Sequence, residues 1–426
     1  MTIKPKFPRF SEQIYARGAT LIELMIAIAI TLFFTVAVYT LYATNEERNR
    51  RVAGATDQYQ STALTLGSLT KRLLSTGNGV VQAAPDTANL FYPAMGCALN
   101  QIGTRSTVGL IFAPVNAFNG IDGDTPDTLV IMYGSANTPP NPTAVQDAPS
   151  ASSLTLARTA GFAVGNWVLI ANKVTPGAPC FMRQIAAIGT GSLLAGQMAD
   201  ITFTGGAYAA LPDPAGNYVV YNMGNLPVLR RYSLPRPNVN SAGVTPGIPP
   251  QSLVEEDLMQ ATDALGINPR VAATHMVNFQ VQLGIDTAGT VANYLDATDP
   301  PVIADDILDA WVNPPESPAR LLPAPQKGGF LAPGSIGFNQ VKAIRIGLTS
   351  RSPTPERVNA AGSPTNCVSS RGVFAKSEAL PADLTTTPPM VSAGGVTTPA
   401  PPAGTCWRYD SLSTVVTLRN MVWGLF

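Results

Sequence analysis

The sequence predicts an α+β protein. A long N-terminal helix, its first half transmembrane, packs on a mostly antiparallel β-rich domain with long Pro/Gly-rich loops. Three observations predict this. No proline occurs from Arg9 to Ala84, so one unbroken helix fits there. Within that stretch, the twenty residues from Leu24 to Ala43 carry no charge. Beyond Gly77, short apolar runs alternate with turn-forming segments, in a chain with 38 Pro and 37 Gly among 426 residues. A hydrophobic share of 45% supplies a core and excludes a wholly disordered chain. The charged share of 13% is about half the usual one, which leaves a surface of Thr, Ser and Asn. Lys+Arg and Asp+Glu balance at 27 each, so no field draws the chain to nucleic acid or an anionic membrane surface.

In chain order, residues 1–18 are polar and net basic, with Lys4, Lys6, Arg9 and Arg17 against Glu12. The run "LMIAIAITLFFTVAVYTLYA" (24–43) reaches about 30 Å as a helix, the thickness of a bilayer core. The membrane span is placed at about residues 21–43. Basic residues ahead of it set the N-terminus in the cytoplasm and everything after Asn45 outside. A secretory signal has a shorter apolar core followed by a small-x-small cleavage site. Here Ala43 runs into "TNEERNRR", and the small pair Gly18–Ala19 precedes the apolar run. A cut between them removes the basic leader and leaves the hydrophobic helix on the mature chain, the reverse of secretion. The mixed-sign run "EERNRR" (46–51) reads as a solvated collar beside the membrane.

The helical pattern continues past the membrane. Val52, Tyr59, Ala63, Leu66, Leu69 and Leu73 recur at three- and four-residue steps with one larger gap, an amphipathic stripe. The expectation is one helix from about Ala19 to about Ser75, roughly 85 Å long, its second half packing one face on a domain. Gly54 and Gly67 each weaken it by ~1 kcal/mol relative to alanine. The organisation is then a leader (1–18), a helix (19–78) and an exported β-rich domain (79–426).

Glu23 stands alone in this lipid-like segment. A charge at mid-bilayer costs ~2.5–3.5 kcal/mol, and less near a helix end. The stretch "G-ATLIELMIAIAI" (18–30) resembles the cleavage motif of type IV prepilins: basic leader, Gly18 before the cut, Glu23 as fifth mature residue, uninterrupted apolar helix. The resemblance implies cleavage by prepilin peptidase between Gly18 and Ala19 and N-methylation of Ala19, where the family most often has Phe. It also implies an assembly role for Glu23, whose charge the amine of Ala19 would match, within the chain or from a neighbouring subunit.

After Gly77 the runs "TVGLIFA" (107–113), "DTLVIMYG" (127–134), "NWVLIAN" (166–172), "YVVYNM" (218–223), "MVNFQVQLGID" (276–286), "VKAIRIGLTS" (341–350) and "STVVTLRN" (413–420) read as strands. Phe279, Val281, Leu283 and Ile285 share a period of two and face one side of a sheet. Proline-heavy stretches at 137–149, 235–250, 313–325 and 381–402 read as surface loops. "SLVEEDLMQATDALG" (252–266) reads as a short helix.

Several of these fragments, with Gly96–Cys97 early in the domain, occur in the order typical of PilW-like minor pilins, which the exported region resembles. The resemblance implies a structural subunit that joins other minor pilins and the major pilin at a filament tip. There it would prime polymerisation and present a PilY-type adhesin. It implies a single-pass protein of the inner membrane that moves to an extracellular pilus.

No enzyme chemistry is evident, and no cofactor is expected. The only histidine, His275, precedes an alternating strand, and Ser335 in "APGSIG" lacks the first glycine of a nucleophile elbow. No metal site is expected. Asp122, Asp124 and Asp127 are weak calcium candidates, and Asp286, Asn293 and Asp296 form a poorer set, both short of the six to eight oxygens calcium takes. Cys97, Cys180, Cys367 and Cys406 allow three disulfide pairings, and proximity favours Cys97–Cys180 and Cys367–Cys406. Two rival readings are a type II secretion pseudopilin, which shares the early motif, and an anchored periplasmic binding protein or hydrolase that keeps its leader. The scarcity of histidine and clustered acids argues against the second.

Overall fold

The computed structural model describes residues 20–78, 97–102, 105–106, 110–118, 126–136, 142–150, 152–172, 178–189, 198–204, 211, 214–234, 251–259, 269–285, 310–312, 321–322, 336–337, 341–353, 356–357, 405–406 and 408–418. One α-helix, α1 (Leu21–Leu74), precedes every strand. The strands begin with β1 (Leu99–Ile102), β2 (Arg105–Ser106), β3 (Val115–Phe118), β4 (Thr128–Tyr133), β5 (Thr143–Ser150), β6 (Ser153–Leu156) and β7 (Trp167–Asn172). They continue with β8 (Cys180–Ile188), β9 (Ala199–Phe203), β10 (Tyr218–Gly224), β11 (Val228–Ser233), β12 (Leu253–Asp257), β13 (Pro269–Ala273) and β14 (Met276–Ile285). The last are β15 (Ala310–Val312), β16 (Leu321–Leu322), β17 (Ile336–Gly337), β18 (Val341–Arg351), β19 (Glu356–Arg357), β20 (Thr405–Cys406) and β21 (Tyr409–Thr417). A long helix followed by antiparallel sheets is the α+β arrangement expected.

The chain divides into two units, Met1–Thr56 and Asp57–Phe426, with the boundary inside α1. In the first unit the described residues are Thr20 and the first part of α1, with its apolar side chains bare: Leu21, Phe33 and Tyr39 are each more than 70% exposed.

In the second unit three sheets enclose three cores. A four-stranded sheet runs β15-β14-β18-β21 and a five-stranded sheet runs β13-β12-β11-β4-β3, both antiparallel. Between them lies the first core. Leu66, Leu69 and Leu73 of α1 meet Phe279 and Val281 of β14, Ile344, Ile346 and Leu348 of β18, and Leu129 and Ile131 of β4. The period of two assigned to β14 is seen here, because Phe279, Val281 and Leu283 all enter this core.

The centre of the five-stranded sheet, β4 and β11, is buried on both faces. Leu129 and Ile131 turn to the first core, whereas Val130, Met132 and Leu229 enter a second. The second core is closed by Leu169 and Ala171 of β7, Met182 of β8, and Val219, Tyr221 and Met223 of β10. These strands belong to the third sheet, ordered β2-β1-β8-β7-β10-β5-β6-β9, in which β9 also pairs with β8. Strands β5 to β10 therefore form a closed six-stranded antiparallel barrel. Its interior is the third core, filled by Val168, Ile170, Phe181, Ile201, Tyr218 and Val220 among others. Alternation along β7 and β10 sends one set of side chains into the barrel and the other onto the five-stranded sheet.

Four local expectations are corrected. Leu253–Asp257 is strand β12, not part of a helix; residues 260–266 lie outside the described residues. The cause is its neighbour: Glu256 sits opposite Arg231, Glu255 lies diagonal to Arg230, and both pairs form salt bridges. Thr143–Ser150, expected as loop, is strand β5, whose pairing with β6 shifts register twice and so accommodates a proline-bearing segment. "TVGLIFA" makes only a bridge from Ile111 to Ala98 among its described residues, and the strand lies at Val115–Phe118 instead. On the helix, Val52 (66%) and Tyr59 (52%) are exposed, and the buried positions upstream of Leu66 are polar. Gln58 and Thr62 donate to the Ser350 hydroxyl at the end of β18, at 3.0 and 2.9 Å. The sheet offers an acceptor there, so a polar helix face suits it better than an apolar one. The stretches 235–250 and 381–402 lie outside the described residues, as does most of 313–325.

Leu69 (2% exposed) and Leu64 (75% exposed) share a helix and differ only in burial. Leu69→Ala should lower the unfolding free energy by ~2–5 kcal/mol. Leu64→Ala should stay within about 0.5 kcal/mol. Urea denaturation followed by tryptophan emission checks both, and equal effects would refute this seating of the helix.

Candidate functional site

The first turn of α1 carries a reciprocal cap. Thr20 precedes the helix, and its backbone N–H donates to Glu23 Oε2 at 2.9 Å. Its hydroxyl donates to the same oxygen at 3.0 Å, while the Glu23 N–H donates to Thr20 Oγ1 at 3.3 Å. This is a capping box, T-x-x-E, which satisfies amides that the start of a helix leaves without partners. It explains how Glu23 is accommodated in an apolar segment: three hydrogen bonds tie it to Thr20, and a negative group suits the helix N-terminus. Gly18 and Ala19 lie outside the described residues.

The span that follows meets the needs of lipid. Every threonine hydroxyl between residues 31 and 44 folds back on the helix, from Thr31 to Ala27 O, Thr35 to Thr31 O, Thr40 to Ala37 O and Thr44 to Leu41 O. No such donor is left facing hydrocarbon. The most apolar eighteen-residue stretch of α1 contains no buried residue. Just past it, Glu46 and Arg50 pair at 2.8 Å, one turn apart on an exposed face.

The other end of α1 is held by charge. Arg72 Nη1 lies 2.8 Å from Glu255 Oε1 and donates to Tyr232 Oη at 2.5 Å, and the guanidinium lies 5.9 Å from the Tyr232 ring centre. Burial opposes the arginine's charge, but the hydrogen bond to Glu255 and the charges beside it outweigh burial and raise its pKa. Burial likewise pushes the Tyr232 hydroxyl far above its ordinary value, so it stays protonated.

Other candidates are dispersed. Asp127 is buried and clamps two sheets: its Oδ2 accepts the Val281 N–H at 2.7 Å, and its own N–H donates to Phe279 O at 2.7 Å. Asp122, Asp124, Asp286, Asn293, Asp296 and Ser335 lie outside the described residues. Among the described residues no three His, Cys, Asp or Glu side chains converge as a metal site. His275 has φ +61°, and its carbonyl accepts the Arg351 N–H at 2.8 Å, so it serves as a corner between β13 and β14. Cys97 and Cys180 form a buried disulfide with Cα atoms 5.8 Å apart. Cys367 and the side chain of Cys406 lie outside the described residues.

Thr20 is the functional residue that sequence reasoning missed, although T-x-x-E ahead of an apolar run is a legible signal. Arg72, Tyr232 and Glu255 had no such signal, being far apart in the chain.

A model of the prokaryotic N-terminal methylation motif matches residues 15–39, which cover the junction, the cap and most of the apolar span. No curated protein and no solved structure matches the chain. The motif supports a structural protein of pilin or pseudopilin type, processed as a prepilin and anchored by its apolar helix. It implies processing by prepilin peptidase and assembly with other pilins.

The cap and the charge of Glu23 are separable. Glu23→Gln should keep the helix start at Leu21, since glutamine also closes a capping box, whereas Glu23→Ala should fray the first turn. Amide exchange at residues 20–24 in detergent micelles distinguishes them, and equal exchange in the two variants would refute the cap. His275 yields a second test. Burial, and then the charge of Arg351, lower its pKa in the folded state. Stability is therefore fully present above the unfolded value of ~6.5 and is lost as pH falls through the lower folded value. Unfolding midpoints should drop as pH falls below about 6.5, and His275→Asn, which tolerates the positive φ, should flatten that drop.

Proposed function

We propose that this chain is a minor pilin of a type IV pilus, similar to the PilW-like group, acting as a structural subunit that primes assembly within a tip complex. One observation carries the reading. The methylation motif sits on a helix whose apolar part is bare and whose far end is wedged into a large β-rich unit. A lipid-soluble helix joined to an exported body suits a subunit stored in the membrane and drawn into a filament.

Processing would cut after Gly18 and methylate the freed amine of Ala19. Before assembly, Thr20 supplies the hydrogen bonds that keep the Glu23 carboxylate satisfied at the membrane edge. During assembly the amine of a neighbouring subunit, carrying full charge, competes for that carboxylate and sets the register between helices. The exported part (79–426) would then contact other minor pilins, the major pilin and a PilY-type adhesin, after passage from the inner membrane to the pilus tip. With Cys97 and Cys180 joined, Cys367 and Cys406 would make the second disulfide. A type II secretion pseudopilin shares the early motif. The size of the exported unit and the order of its segments, ending in "RIGLTSRS … TVVTLRN", favour the pilus.

N-terminal mass measurement on membranes and on sheared filaments tests this directly. The expected terminus is methylated Ala19, present in both fractions. An intact Met1 or Thr2 terminus with no filament-associated form would overturn the reading. Glu23→Ala and Glu23→Gln should both fold and both fail to incorporate, because each removes the charge; normal incorporation of Glu23→Gln would leave only the cap as its role.

A further inference from the structure

Strands β4 and β11 are neighbours, paired from Tyr133 with Val228 to Leu129 with Tyr232. A tight turn could join them. Instead residues 134–227 intervene, and the strands they form, β5 to β10, are the six that close the barrel. The barrel is therefore inserted into a hairpin, and its two connections pass each other at a neck.

That neck is tight. Ser135 N–H donates to Met223 O at 2.8 Å, and Leu226 N–H donates to Ser135 Oγ at 2.9 Å. Gly224 has φ +81°, and a Cβ there would lie 2.5 Å from Ala136 N, so only glycine allows the crossing. The end of α1 is stitched to the same place: Gly77 N–H donates to Met132 O at 3.0 Å, and Gly134 N–H donates to Asn78 O at 2.6 Å. A second attachment lies two strands away around the barrel wall, where β1 pairs in parallel with β8 and Cys97 bonds Cys180.

We propose that the barrel is a rigid inserted head tied at two separate points, the neck at Gly134–Ser135–Gly224, to which the end of α1 is stitched, and the Cys97–Cys180 disulfide, which joins β8 to the segment entering β1. The second core seats the barrel on the five-stranded sheet, and a body held by apolar packing and one pair of crossing strands can still swivel about them. A second anchor on another strand removes that freedom. A pull on α1 then passes through Gly77 and Asn78 to β4 and the neck, and the barrel follows without rotating. This coupling holds whichever filament the chain enters.

The test uses the full chain in detergent, with non-cysteine spin labels at exposed Ser68 on α1 and exposed Val164 on the barrel, read by pulsed electron spin resonance. The wild type should give one narrow distance. Ser135→Ala, with the disulfide intact, should broaden it slightly, and Cys97→Ser/Cys180→Ser more; the two combined should give the broadest distribution. Circular dichroism confirms folding of each variant. A broad wild-type distribution overturns the proposal, as does a folded combined variant as narrow as the wild type. If the cysteine variant does not fold, Ser135→Ala alone decides, and an unchanged width there counts against the neck.

Discussion

Leu66, Leu69 and Leu73 lie on one side of α1, and the inner faces of two sheets close over them. Without that wedge, Phe279, Ile344 and Ile346 on one sheet and Leu129 and Ile131 on the other would face a gap rather than a packed core. The wedge also sets the helix's other contacts. It brings Arg72 to Glu255 and Tyr232, and it sets Gln58 and Thr62 against Ser350. The C-terminal end of α1 is thus held by apolar packing, with polar groups fixing its rotation. The apolar part supplies most of the attraction, while the hydrogen bonds fix the azimuth, because a buried donor needs an acceptor within reach.

The five-stranded sheet passes this order outward. Its strands β4 and β11 place side chains in two cores at once, so a slip of one residue there would put each of them in the wrong one. Salt bridges from Arg230 to Glu255 and from Arg231 to Glu256 oppose such a slip, one on each face. Asp127 adds a lateral tie, since its carboxylate takes the Val281 amide from the four-stranded sheet. The barrel completes the stack, sealed by closure of its own strands.

Along α1 the polar groups obey two different solvents. In the apolar part each threonine hydroxyl from 31 to 44 bonds its own helix, and Glu23 bonds Thr20. Past Asp57, on the buried face, Thr62 bonds its own helix and also reaches across to a sheet. The same residue type is satisfied locally where no partner is present and tertiarily where one is, as the cost of an unmade buried hydrogen bond requires.

The long apolar helix, the methylation motif over 15–39 and the strands at 128–133, 167–172, 218–224, 276–285 and 341–351 were legible in the sequence alone. Each is written in neighbouring residues: an unbroken absence of charge, a period of two, a lack of proline. The cap was equally local and was overlooked. Other features needed the folded chain. Leu253–Asp257 has helix-forming acids but becomes a strand because arginines on β11 lie beside it. Tyr59 continues an apolar stripe yet stays exposed, because the sheet presents Ser350 to Gln58 and Thr62 where the helix meets it. The barrel rests on the pairings of β8 with β9 and of β5 with β10, and the latter joins residues far apart in sequence. Local pattern determines what a segment is able to form. Which partner it meets, and which face that partner covers, is decided only when distant segments compete for the same hydrogen bonds and the same buried space.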